Sequence, residues 1–224
     1  MQVTIITGAS RGIGKAISED LKGIDGALIE LSSARVDFEK YNLVFDSVIP
    51  ILDCFANISK INLILCAAQI GESNDFSEEQ CQKLYAINVL GNLAVINAAK
   101  QYQFPMRIVW FAGGGAAFPY PEFFAYSLSK VAVVRAVENL SLVLRDTSII
   151  ALAPGAVDTD MLKQVEAAGC KIRTRTDISE PVNFVRKFIT DEFDSMAMNG
   201  MFIHVRDDLS RLGKENIYRL RRTE

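Results

Sequence analysis

The chain lacks a basic excess, has almost no histidine and contains no long apolar run. Its 24 Lys and Arg are outnumbered by 27 Asp and Glu, giving a formal net charge of -3 over 224 residues. That excludes the positive footprint general nucleic-acid binding requires. The single histidine, His204, falls in a strand-like pattern and reads as structural. No hydrophobic stretch approaches the roughly 20 residues of a membrane span, and the first one ends in glycines instead of a small-residue cleavage site. A soluble, cytoplasmic protein with no membrane or nucleic-acid partner is therefore expected. Close cysteine pairs are also missing: Cys54, Cys66, Cys81 and Cys170 are scattered, so buried, reduced thiols are expected in place of a metal site or disulfide frame. Internal repeats and low-complexity linkers are absent. With 50% hydrophobic residues, positions 1–224 suffice for one domain and would be cramped as two. Finally, no serine or threonine lies between Glu78 and Tyr126, which strips the middle of the chain of hydroxyls other than tyrosine's.

What is present begins with Val3, Ile5 and Ile6 running into Thr7, Gly8, Ala9, Ser10, Arg11, Gly12, Ile13 and Gly14. A β-branched run, three glycines and an amphipathic stretch predict strand, tight turn and helix. A helix N-terminus offers unpaired N–H groups and a positive dipole end, and glycines let an anion approach, so the turn reads as a phosphate site. Further strands are expected at residues 27–32, 35–38, 61–66, 107–111, 148–152 and 200–205. Helices are expected at 41–56, with Pro50 as a kink or break, at 77–102 behind a Ser77 cap, at 125–145, and from Glu180-Pro181. Residues 161–176 read as charged and irregular, and 206–224 as a polar tail carrying Arg211, Lys214, Arg219, Arg221 and Arg222. This alternation predicts an α/β fold: a doubly wound, Rossmann-like parallel sheet of about seven strands in three layers, with ligands beyond the carboxyl ends of the strands.

Tyr126 and Lys130 stand four apart, on one face of the predicted helix. A free phenol has a pKa near 10. An ammonium about 4 Å away at an effective dielectric near 20 contributes about 4 kcal/mol, enough to lower it by up to roughly three units. The pair thus suits acid/base work. On these residues, together with Asn88 and the later Pro154-Gly155-Ala156-Val157-Asp158-Thr159, the chain resembles the short-chain dehydrogenase/reductase family along essentially its full length. The resemblance implies that Tyr126 exchanges a proton with a carbonyl or alcohol oxygen while hydride moves to or from a nicotinamide. It implies that Lys130 tunes the tyrosine and holds the ribose, that Asn88 supports a proton-relay water, and that Asp37 contacts the adenine. By the same resemblance, Ala67 and the segment carrying Pro154, Gly155, Val157 and Thr159 border the cofactor.

Two positions depart from the family pattern. The catalytic serine's place, about thirteen residues before the tyrosine, holds Gly113, and the family's Asn-Asn-Ala-Gly turn reads Leu65-Cys66-Ala67-Ala68, so other contacts must hold it. Tyr120 is the nearest sequence candidate to replace the missing hydroxyl, alongside a bound water. Two functions follow: an NAD(P)-dependent oxidoreductase acting on a small carbonyl/alcohol substrate, or a binding module that holds a dinucleotide with impaired chemistry. The first is favoured by Tyr126, Lys130 and Asn88, the second by Gly113. Ser32, Ser33 and Arg35 at the end of the second strand, with Arg11, suit a 2'-phosphate and point to NADP(H); Glu30, near the spacing of an NAD-type acid, makes NAD(H) the alternative. Lys171, Arg173 and Arg175 share one face of an extended segment and could meet an anionic substrate, a solvated loop being the plainer reading. The helices bearing Asn88 and Tyr126 are apolar nearly all round, which implies burial in a homodimer or homotetramer.

Overall fold

The computed structural model describes residues 1–211. Six parallel strands form the main sheet: β1 (Gln2–Thr7), β2 (Ala27–Leu31), β3 (Lys60–Leu65), β4 (Met106–Phe111), β5 (Thr147–Ala153) and, after a two-stranded pair, β8 (Phe202–His204). Their order is β2-β1-β3-β4-β5-β8. The near-continuous apolar runs follow from burial on both faces. In β4, Ile108 and Trp110 enter one core while Val109 and Phe111 enter the other, and β5 divides Ile149 and Ala151 from Ile150 and Leu152 in the same way. Helices α1 (Gly12–Leu21) and α8 (Ser179–Ile189) pack together against one face. The other face is covered by α2 (Tyr41–Asp53), α4 (Asn92–Lys100) and α6 (Phe124–Val143). The chain leaves β1 toward β2 and then returns past it to β3, so the strand order reverses between β1 and β3, the place where such folds open a cleft.

The doubly wound α/β architecture is as expected, but with six strands in the main sheet in place of seven. Residues 35–38 form no strand. The N–H groups of Arg35 and Val36 donate to Ser32 O at 2.9 and 3.0 Å, and Lys40 N–H to Asp37 O at 3.1 Å, so the backbone spends its hydrogen bonds on local turns. The long helix expected over 77–102 begins at Ser77, whose hydroxyl accepts Gln80 N–H at 3.2 Å. It is divided into α3 (Glu78–Tyr85), a π-helical turn (Ala86–Gly91) and α4. Gly91 lies in that turn because a Cβ there would sit 2.9 Å from Phe38 Cδ1. Pro50 does not split α2.

The stretch 161–176 is not irregular. Thr159 accepts Leu162 N–H at 3.4 Å and caps α7 (Asp160–Ala167), which buries Leu162 and Val165. Then β7 (Arg175–Thr176) pairs in parallel with β6 (Ala156–Val157). The short helix α5 (Gly114–Ala117) follows β4. All four cysteines are free, as expected, but the expected burial is not met: Cys54 is exposed, and Cys66, Cys81 and Cys170 are only partly buried. The tail begins later than expected, since Arg206 Nε donates to Glu180 at 2.9 Å and its Nη2 to Arg175 O at 2.6 Å. Lys214, Arg219, Arg221 and Arg222 lie outside the described residues. Among the described residues no helix is long and apolar enough to cross a membrane.

Phe188 is fully buried in the core between α8 and the sheet. Phe188→Ala should lower stability by about 3–5 kcal/mol. Trp110, the one tryptophan and also fully buried, reports the urea transition by fluorescence.

Candidate active site

A cleft of about 810 Å³ opens beyond the carboxyl ends of β1, β3 and β4. Its floor is the glycine turn. Gly8 has φ +69°, and a Cβ on it would lie 2.8 Å from Ala67 N, so the two turns can close on each other only through glycine. A side chain on Gly14 would run into the Gly8 carbonyl. The first-turn N–H groups of α1 have no intrahelical acceptor, and no side chain caps them. Gly12, Ile13 and Gly14 line the cleft, so these donors and the positive dipole end face it, and the residues present fit a dinucleotide's phosphates. Gly8, Ser10, Arg11, Ser33, Asp37, Ala67, Tyr126, Lys130, Pro154 and Thr159 line the same cleft, as the sequence suggested. Gly155 and Val157 do not line it. Gly155 has φ +75° and packs against the Thr176 side chain, while Val157 is buried. Glu30 accepts the Ser18 hydroxyl beneath α1, and Arg35 Nη1 donates to Glu30 O at 3.4 Å; neither residue borders the cleft.

The turn after β3 is held by residues the sequence reading missed. Thr7 Oγ1 accepts Ala67 N–H at 3.0 Å and donates to Asn92 Oδ1 at 2.8 Å, while Asn92 Nδ2 donates to Ala67 O at 2.9 Å. One residue pair further on, Asn88 Oδ1 accepts Gln69 N–H at 2.8 Å and its Nδ2 donates to Gln69 O and Ser129 Oγ, both at 2.9 Å. Asn88 does not line the cleft, and its amide is occupied by the Gln69 backbone and the Ser129 hydroxyl. The signal for Asn92 was its place four residues after Asn88 on an otherwise apolar helix.

Tyr126 and Lys130 are both buried, on one face of α6 as their spacing required. Lys130 Nζ donates to Phe111 O at 2.8 Å and stands 5.5 Å from the Tyr126 ring centroid. Burial pushes the lysine down to about 8 and the tyrosine up to about 12. The expected lowering of the phenol is thus reversed, because desolvation outweighs an ammonium that points at a carbonyl. The Cys66 thiol at the cleft floor is likewise pushed up by burial, partly offset by Lys130. A Cβ on Gly113 would lie 3.0 Å from Tyr126 Oη, so position 113 faces the phenol directly. Tyr120 packs edge-on to the Tyr126 ring with centroids 6.5 Å apart, and its hydroxyl is hydrogen-bonded with Cys170. Lys171, Arg173 and Arg175 are exposed and outside the cleft, with Arg175 paired to Glu166. Among the described residues no group of His, Cys, Asp and Glu could hold a metal ion.

The lysine shift fixes a pH dependence. The folded value of about 8 lies below the ordinary 10.5, so the penalty for burying the ammonium is present in full below pH 8 and is relieved as pH rises toward 10.5. Lys130→Met should therefore be more stable than the parent at pH 7 by on the order of 1–3 kcal/mol, with the advantage shrinking by pH 10. Urea unfolding of both proteins across that range checks it.

Comparison with known proteins agrees with this geometry. Residues 30–169 match the family model for short chain dehydrogenase. An uncharacterised oxidoreductase of Saccharomyces cerevisiae is 27% identical over 183 residues, covering 71% of this chain and 72% of the yeast protein. The benzil reductase of Bacillus subtilis, which forms (S)-benzoin, is 22% identical over 196 residues, covering 76% and 81%. The crystal structure of 3-oxoacyl-[acyl-carrier protein] reductase from Brucella melitensis, in complex with NAD, superposes with a TM-score of 0.74 at 21% identity over 91% of this chain and 95% of that one. The chain belongs to the short chain dehydrogenase family of oxidoreductases.

Proposed function

We propose that the protein is an NADP(H)-preferring enzyme that interconverts a carbonyl compound and its alcohol, with Tyr126 as the proton donor and acceptor. The observation that carries this reading is the buried Tyr126 and Lys130 at the cleft, across from an uncapped, glycine-built helix N-terminus. When bound, the nicotinamide cofactor supplies or takes up the hydride. Tyr126, held protonated well above neutral pH, gives its proton to the substrate oxygen and so supports the reductive direction. Lys130 holds positive charge beside the phenol and is fixed in place by Phe111 O. Asn88 acts as a positioning residue: it holds Ser129, whose hydroxyl donates to Tyr126 O at 2.7 Å.

Gly113 takes the place of the family's catalytic serine on this reading, which withholds one donor from the substrate oxygen. Loss of one preorganised donor costs on the order of 3 kcal/mol, or a hundred- to a thousandfold in rate, so turnover is slow but real. Preference for NADP(H) over NAD(H) rests on Arg11 and Ser33 at the cleft and on Glu30 being engaged by Ser18 away from it. We further propose a cytoplasmic homodimer or homotetramer joined through α6. Phe124, Leu128 and Val131 are exposed apolar residues at helical spacing in its first half, and Leu142, 85% exposed, lies near its end beyond the Arg135–Glu138 pair.

Fluorescence titration should show NADPH binding tighter than NADH; the reverse order would reassign the cofactor. Tyr126→Phe should lower kcat at least a hundredfold while changing NADPH affinity only a few-fold, and Gly113→Ser should retain turnover. Binding of NADPH with no turnover of any carbonyl or alcohol, and no gain from Gly113→Ser, would instead assign the role of a dinucleotide-holding subunit. Light scattering at micromolar concentration should give at least a dimer.

A further inference from the structure

The substrate end of the cleft offers no counter-charge to an anion. Around Tyr126 its wall is Ile70, Ile87, Ala112 and Met161, with the amides of Gln69 and Gln164 as the polar groups. Ile70 and Met161 belong to the same apolar cluster as Tyr126, so this wall is continuous with the packing that holds the phenol. Among the described residues lining the cleft, the cations are Lys130 and Arg11. Lys130 is buried and committed to Phe111 O, and Arg11 is the residue that precedes α1, on the glycine turn. The charged groups close to the substrate end are Asp160 in the wall, whose carboxylate is paired with Lys163 Nζ at 3.3 Å, and Glu122, which interacts with Tyr120. The three cations of the segment after α7 are exposed and do not line the cleft.

We infer, on the reading of this cleft as a carbonyl/alcohol oxidoreductase site, that its substrate is an uncharged, largely apolar carbonyl compound, and that keto acids, sugar nucleotides and phosphorylated acyl carriers are excluded. A carboxylate or phosphate seated against this wall would lose hydration that two uncharged glutamine amides replace only in part, and would find no free cation among the described lining residues. A neutral diketone loses little on entry and gains apolar contact with Ile70, Ile87 and Met161, while either glutamine can bond a second oxygen.

The test is a set of matched neutral and anionic carbonyl pairs with NADPH: phenylpropanedione against phenylglyoxylate, and pentanedione against oxobutanoate. The neutral member of each pair should have at least a tenfold higher kcat/KM. Gln164→Lys, which adds a cation to the wall at an exposed helix position, should narrow that ratio at least threefold by improving the anionic member. An anionic member used as well as or better than its neutral partner would overturn the inference and leave the oxidoreductase reading standing. Absence of turnover with every pair, despite NADPH binding, would overturn that reading and the inference with it.

Discussion

The structure depends on keeping the ends of β1 and β3 in contact, and a buried amide enforces this. Thr7, Asn92 and the Ala67 backbone exchange three hydrogen bonds of 2.8–3.0 Å with Thr7 and Asn92 fully excluded from water. An unsatisfied buried polar group costs about 1–3 kcal/mol, so such a network is stable when complete and a liability when broken. It fixes the distance at which the Gly8 turn backs onto the Ala67 turn, and the cleft floor is the seam between them. The π-helical turn just before α4 belongs to the same device, because it sets the face of the helix that Asn88 and Asn92 share. Asn92 grips the first residue pair beyond β3 and Asn88 the next, so one helix face holds the whole turn.

From that anchor the constraint passes to the chemistry. Asn88 reaches Ser129, Ser129 reaches the Tyr126 carbonyl, and Lys130 reaches the end of β4. The helix bearing the tyrosine is therefore registered against both strands that floor the cleft. Few of these bonds involve a group that touches a ligand. Their effect is to place one phenol and one ammonium in buried positions at the cleft, where neither ionises as it would in water.

Much of this was legible in the sequence where the signal was local. Strands buried on both faces announce themselves as apolar runs, the glycine turn by its place between a strand and a helix, and the Tyr126–Lys130 pair by helical spacing. The failures share a cause, which is that the deciding contacts are distant in sequence. Val36 and Phe38 look like a strand, yet Ser32 captures the backbone before it can find a neighbour. The helix α7 is hidden by its charge, since its buried side of Leu162 and Val165 is narrow. Asn92 carried only the weak signal of its spacing from Asn88, because its partners lie 85 and 25 residues away. The tyrosine shift was misjudged because spacing shows which groups are near and not how much water they lose.

The opposite shifts of Tyr126 and Lys130 have one origin and complementary results. Burial disfavours charge on each, which holds the phenol protonated and makes the lysine more willing than usual to release its proton. At neutral pH the pair still rests as acid beside cation, the state in which a proton can be given to a carbonyl oxygen and the resulting phenolate is born next to an ammonium. The same dry wall that raises the phenol also strengthens that attraction once the negative charge exists, since low local dielectric cuts both ways. A glycine at position 113, where a Cβ would stand 3.0 Å from Tyr126 Oη, puts no side-chain donor beside the phenol, so on the proposed reading the proton chemistry falls to this one pair.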